Sequence, residues 1–158
     1  MGMLWIKVAL ACLAIAFSVG IGYLAANKYR CRRDFFSQLS DFNERYINEL
    51  EYARKPLPVF LKETSATGDF KKMLEEFSSS RAPQLKFSYL TKEEKKECTE
   101  YFSMLGRGDA LSQKGYFCAR REPLGEVRAA CEKQAKAKGE LYLKLGLLAG
   151  LAFVILII

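Results

Sequence analysis

Two apolar runs constrain this chain more than any other feature. Val8 to Ala26 is nineteen residues without a charge, and Leu145 to Ile158 is a second run of fourteen. The first is about long enough to cross a bilayer core as a helix. The second approaches that length once Leu141, Tyr142 and Leu143 are added, with Lys144 placed where a lysine can snorkel to the head groups. Basic residues stand on the inward side of both: Lys28, Arg30, Arg32 and Arg33 after the first, and Lys133, Lys136, Lys138 and Lys144 toward the second. Such clusters resist translocation and stay cytoplasmic. The pattern predicts a two-span hairpin: a transmembrane helix over 4–27, a cytoplasmic helical domain over 28–140 and a second transmembrane helix over 141–158. A signal peptide is the competing reading of the first run, with Lys7 as its basic end and Leu24-Ala25-Ala26 as its small residues. Nineteen apolar residues followed at once by a basic cluster suit an uncleaved span better.

Small residues recur on both spans. Ala14, Ser18, Gly22 and Ala26 fall every four residues along one helix face, and Gly146 and Gly150 form a GxxxG. Inside lipid, association rests on close packing rather than on hydrophobicity, so such faces let backbones approach. They can serve within the chain, on a partner's spans or in a homo-oligomer; small residues are also common in spans for no such reason.

Between the runs lies a charged segment. All 18 Asp and Glu and all but one of the 25 Lys and Arg fall in it, leaving it mildly basic. The signs are interspersed rather than clustered as nucleic-acid binders tend to have them, so no nucleic-acid partner is expected. Cys12, Cys31, Cys98, Cys118 and Cys131 form no CxxC pair and are odd in number, which fits a reducing compartment. The chain has no histidine, and so lacks the commonest metal ligand and general base. Ser103, Ser112 and the cysteines have no imidazole to activate them, and no spacing resembles a calcium loop. No enzymatic chemistry, cofactor or metal is expected.

The segment reads as helices throughout. Phe35, Leu39, Phe42, Tyr46, Leu50 and Ala53 follow in steps of three and four, one buried face of a helix that stops before Pro56. No breaker separates this helix from the first span, which leaves open whether the two are one. A short helix from Pro58 to Thr67 carries Val59, Phe60 and Leu61. Asp69 is expected to cap a helix over 70–79 with Phe70, Met73, Leu74 and Phe77 inward, followed by a loop from Ser78 through Lys86. Thr91-Lys92-Glu93-Glu94 is a capping box opening a helix to about Leu105, with Cys98, Tyr101, Phe102 and Leu105 inward. Leu111, Cys118, Leu124, Val127, Cys131 and Ala135 are the expected inner face of the last helix. Pro123 is its one conflict: it removes the bond to the carbonyl of Ala119 and is expected to kink or interrupt the helix. Leu85 to Leu90 alternates, but a single strand has no partner. The fold class is all-α: a bundle of about five to six helices whose long first and last members continue into the spans.

The junction Leu105-Gly106-Arg107-Gly108-Asp109 is the candidate site that composition alone cannot explain away. Gly106 can end one helix in a left-handed conformation and Asp109 can cap the next. That architectural reading accounts for both residue types and outweighs direct contact with a partner. Gln113, one turn further on, has no such account. Glu93, Glu94, Glu97 and Glu100 crowd one helix; the ordinary reading is a solvated face, the sharper one a partner-docking surface.

Three stretches together resemble the stage III sporulation protein AB family. They are Glu49-Leu50-Glu51-Tyr52 leading to Pro56-Leu57; Leu105-Gly106 with Asp109 and Gln113; and Lys144-Leu145-Gly146-Leu147-Leu148-Ala149-Gly150-Leu151 with its aliphatic tail. Order and spacing fit along essentially the whole chain, and Pro123 departs from the unbroken helix the family leads one to expect. That family is similar in turn to the F-domain platform proteins of type II secretion and type IV pilus machines, which usually carry two such domains. The resemblance implies a non-catalytic platform of the mother-cell-to-forespore channel, in the outer forespore membrane with its domain on the mother-cell side. It also implies a cytoplasmic partner resembling a secretion ATPase and sibling membrane subunits. A membrane-anchored tether for anionic lipid or nucleic acid, and a membrane-bound enzyme using a carboxylate or cysteine, are the competing classes.

Overall fold

The computed structural model describes residues 2–53, 55–80 and 85–157, and every regular element among them is helical. The elements are α1 (Gly2–Asn48), a π-helical turn (Glu49–Ala53), α2 (Leu57–Glu63), α3 (Gly68–Ser80), α4 (Lys92–Met104) and α5 (Ala110–Ile157). The first apolar run and the first charged helix are therefore one helix. The all-α expectation and the long terminal helices hold. The chain forms two compact units: the residues up to Arg30 with those from Cys131, and Cys31–Ala130 between them.

The middle unit is built on aromatic rings. Phe35, Phe42, Phe70, Phe102 and Phe117 are each at most 2% exposed. Phe35 meets Phe70 edge-on at 5.6 Å, and Phe117 meets Tyr46 at 4.9 Å and Tyr101 at 5.1 Å in the same manner. Edge-to-face pairs contribute about 0.5–1.5 kcal/mol each beyond the area they bury. Three charged pairs run down the outside between α1 and α5: Asp41 with Arg128 (2.7 Å), Glu44 with Arg121 (2.6 Å) and Glu51 with Lys114 (2.9 Å). Exposed pairs of this kind add about 0–1 kcal/mol each, so they mark the antiparallel register more than they hold it.

Local chemistry sets the boundaries. The Thr91 hydroxyl accepts from the amide of Glu94 (3.2 Å), and the Glu94 carboxylate accepts from the amide of Thr91 (2.9 Å): the expected capping box is complete. Phe70, Met73, Leu74 and Phe77 all face inward on α3. Asp69, however, is not its cap. It lies in the first turn, where its carboxylate accepts from the Tyr89 hydroxyl (3.1 Å) and pairs with Lys72 (3.1 Å). Just before α3 the amide of Thr67 donates to the side-chain oxygen of Gln38 on α1 (2.8 Å).

Other expectations need correction. The short helix runs Leu57–Glu63 and ends at Thr64, whose hydroxyl and amide both donate to the carbonyl of Phe60. Phe60 is its buried residue, while Val59 is 41% exposed. Ser78 to Ser80 are still helical, so the expected loop begins later; its stretch 81–84 lies outside the described residues, as does the burial of Ala53. Leu50 is only half-buried. Leu111 is 78% exposed, because the buried face of α5 runs through Gln113 and Phe117 rather than through Leu111. Pro123 lies inside α5 without interrupting it. Losing one backbone bond costs about 3 kcal/mol in an isolated helix. Pro123 is itself exposed, and it borders, with Phe36, Leu39, Leu124 and Val127, a cavity of about 50 Å³.

Candidate functional site

The junction between α4 and α5 is organised by Gln113. The α4 helix ends at Met104, Leu105 follows in an extended conformation, and Gly106 and Gly108 take φ of 73° and 81°. Two left-handed residues in three reverse the chain, a geometry that side-chain-bearing residues disfavour. A Cβ added at Gly106 would also come within 2.9 Å of Leu57 Cδ2. Asp109 then opens α5: its carboxylate accepts from the amide of Ser112 (3.3 Å) and from the Ser112 hydroxyl. Those bonds favour the ionised form and hold the Asp109 carboxyl below its usual range.

Gln113 closes the loop from inside. Its side-chain oxygen accepts from the Tyr46 hydroxyl and from the amide of Gly106 (3.1 Å), while its nitrogen donates to the carbonyl of Gly108 (3.3 Å). It is 8% exposed. A buried amide is tolerated only when its donors and acceptors are met, and here one side chain meets two backbone groups of an irregular loop. This is the account that sequence reasoning lacked for Gln113.

Beside it lies a buried group that sequence reasoning missed altogether. Asn43 is 1% exposed; it donates to the carbonyl of Phe117 (3.1 Å) and accepts from the Tyr101 hydroxyl (3.0 Å). Thus α1, α4, α5 and the junction are pinned together by Asn43, Tyr46, Tyr101 and Gln113. Burial raises the hydroxyls of Tyr46 and Tyr101 above their ordinary range, so both stay neutral donors at any physiological pH. The Cys98 thiol is likewise pushed up to about 12, by burial first and then by Glu94 and Glu97. Asn43 sits between the apolar Phe42 and the polar Glu44, and its only signal was its phase: it shares the face of Tyr46 and Leu39.

The four glutamates of α4 do not make one surface. Glu94 is taken by the capping box and by Arg32, which donates through Nε (3.2 Å) and Nη2. Glu100 pairs with Arg120 (3.5 Å), and Glu97 borders the cavity beside Cys98. Glu93 is exposed.

The small residues of the two spans face each other. A Cβ added at Gly22 would lie 2.6 Å from the carbonyl oxygen of Tyr142, and one at Gly146 would lie 2.9 Å from that of Ser18. At Gly150 it would meet Ile15 Cα at 3.1 Å. The Ser18 hydroxyl donates to the carbonyl of Gly146 (2.6 Å). Ala26 is fully buried and Ala14 half-buried. Outward, the same helices bare Trp5, Leu13, Phe17, Leu24, Leu148 and Phe153, each at least 58% exposed. Only 6% of the first apolar window and 17% of the second are buried. A core helix of a soluble protein would hide such a surface; helices this long, apolar and bare suit a lipid environment.

Comparison with curated proteins and with solved structures gives no match. The family model for stage III sporulation protein AB matches residues 7–84 and 73–158, which include the junction, the aromatic domain and both apolar runs. The chain belongs to the stage III sporulation protein AB family.

Proposed function

We propose that this chain is a non-catalytic membrane platform of the sporulation channel, with its aromatic helical domain in the cytoplasm. Family membership supports a role in sporulation. The two helices long and apolar enough to cross a membrane support a membrane location. In this reading the domain receives a secretion-type ATPase and the spans meet sibling membrane subunits, as in the platform proteins that the family resembles. The observation that carries it is helix length: α1 (Gly2–Asn48) and α5 (Ala110–Ile157) each contain both a span-length apolar run and residues of the aromatic core. A simple anchor needs only apolar length, whereas a part that passes movement needs stiff elements without a flexible joint.

The test is a joint. A Gly-Ser-Gly-Ser insertion between Arg30 and Cys31, with a second between Ala130 and Cys131, should leave membrane insertion and the melting of the domain unchanged. ATPase co-purification should persist while spore formation fails. Normal sporulation with both joints in place would reduce the chain to a tether and end the coupling proposal. Absence of any ATPase in pull-downs of the intact chain would remove the assigned partner instead.

A further inference from the structure

Apart from Lys7, the charge of the span-bearing unit stands at the inner ends of its two apolar runs. There six basic residues, Lys28, Arg30, Lys133, Lys136, Lys138 and Lys144, stand against two carboxylates, Glu132 and Glu140. Glu140 lies toward Lys144 (3.9 Å), and Glu132 has partners of its own. Arg30 stacks over the Tyr23 ring at 5.4 Å. Lys28, Lys133, Lys136 and Lys138 are exposed and meet no carboxylate among the described residues.

Two of these lysines converge on a polar feature that the packing of the spans does not require. Tyr29 of α1 and Tyr142 of α5 stack with their ring centroids 5.9 Å apart and their ring planes 22° from parallel. Lys28, from one helix, and Lys138, from the other, both lie within electrostatic reach of the Tyr142 hydroxyl. The pair lies just beyond the close-packed glycines, since Gly22 abuts Tyr142 itself. Tyrosines favour the boundary between hydrocarbon and head groups, with the ring in one and the hydroxyl in the other. Two unpaired ammonium groups beside two hydroxyls at that depth are donors without an acceptor.

We propose that Lys28 and Lys138, beside the stacked Tyr29–Tyr142 pair, form a site for the phosphate of an anionic phospholipid. The inference rests on the membrane reading of the spans but not on any ATPase or platform role. Its chemistry is a phosphodiester held by two ammonium groups and a phenolic donor, its acyl chains lying on the bare leucine and phenylalanine faces of the spans. A basic cluster that only sets topology would act through its total charge and favour no particular headgroup or pair of lysines.

The experiment uses the full chain in nanodiscs of mixed phosphatidylcholine and phosphatidylglycerol, extracted in mild detergent, with co-purifying lipid identified by headgroup. The wild-type chain should retain phosphatidylglycerol above its share of the bilayer. Lys28→Gln and Lys138→Gln should each lower that enrichment about fivefold, and Lys28→Arg and Lys138→Arg should restore it. Lys62→Gln and Lys92→Gln, each of which removes one charge from the middle unit, should change nothing. Inorganic phosphate at matched ionic strength should fail to displace the lipid; displacement would make the site one for free phosphate and overturn the lipid assignment. Equal enrichment in wild type and in both glutamine variants would also overturn it, and the basic cluster would then be a topology signal only.

Discussion

Removing the Gln113 side chain tests whether the α4–α5 junction is held from inside. In Gln113→Ala the Tyr46 hydroxyl and the Gly106 amide lose their shared acceptor, and the Gly108 carbonyl loses its donor. Each buried polar group left unpaired costs about 1–3 kcal/mol. The Gly106 amide and the Gly108 carbonyl lie on a part-buried loop where water can reach, so the Tyr46 hydroxyl dominates and the expected loss is about 2–4 kcal/mol. Tyr46→Phe alone removes one bond while the amide oxygen keeps Gly106, and should cost about 0.5–1.5 kcal/mol. In the double variant the orphaned hydroxyl is gone, so the two effects must not add: a coupling of about 1–2 kcal/mol is expected. The assay is thermal melting of the intact chain in mild detergent, read from the near-ultraviolet circular dichroism of the packed rings. For a middle unit of this size the alanine variant should melt about 8–30 °C lower, at roughly 4–8 °C per kcal/mol. Strict additivity, or a Gln113→Ala loss under 0.5 kcal/mol, would refute the reasoning and leave Gln113 as a contact residue by elimination.

Three further outcomes follow from other places. Gly22→Leu or Gly146→Leu should preserve membrane insertion yet separate the spans, seen as a longer distance between spin labels placed at the exposed positions 24 and 148, while the domain's melting stays unchanged; an unaltered distance would mean the glycine contacts are incidental. Because hydrogen bonds from Ser112 depress the Asp109 carboxyl, its stabilising effect is complete above the unfolded value of about 3.9 and is lost as pH falls through the lower folded value. Asp109→Asn should keep the cap and flatten that acid limb, and a variant with the same acid limb as wild type would contradict the assignment. In native protein at pH 8, iodoacetamide should spare Cys98 and the buried Cys131 and reach them only on unfolding; native modification of Cys98 would contradict both its burial and its raised thiol.

What was legible in the sequence was what short-range chemistry decides. The capping box at Thr91 and the inward face of α3 rest on spacings of three and four residues, and Gly106 announces a left-handed turn by lacking a side chain. The errors share a cause: they concern which long-range partner a residue meets. Leu111 has the right chemistry for a core, but the junction starts α5 in a phase that points it outward. Asp69 has the right chemistry for a cap, but α3 already begins at Gly68, and Tyr89, far off in the sequence, engages its carboxylate. Asn43 and Gln113 read as solvated polar residues until the helices that bury them are assembled. Pro123 shows the reverse case, where a helix held at both ends by its own packed faces runs through a residue that disfavours it locally. The facing of the span glycines was written in the sequence as a repeat, although which helix each face would meet was not.

The π-helical turn at Glu49–Ala53 bears on how this chain tolerates a change of length. A π turn holds one residue more than the α turn it replaces, and here it lies just before Pro56, where Glu49 accepts from the amide of Lys55 (2.9 Å). Upstream, from Phe35 to Ile47, adding or removing one residue would swing every later ring by about 100° and take the aromatic face off the core. Within the π turn, a deletion can be absorbed by tightening to ordinary α geometry, leaving those rings where they are. Single-residue gaps and insertions that separate this chain from its homologues should therefore collect at the π-helical turn that follows α1, where the winding has slack.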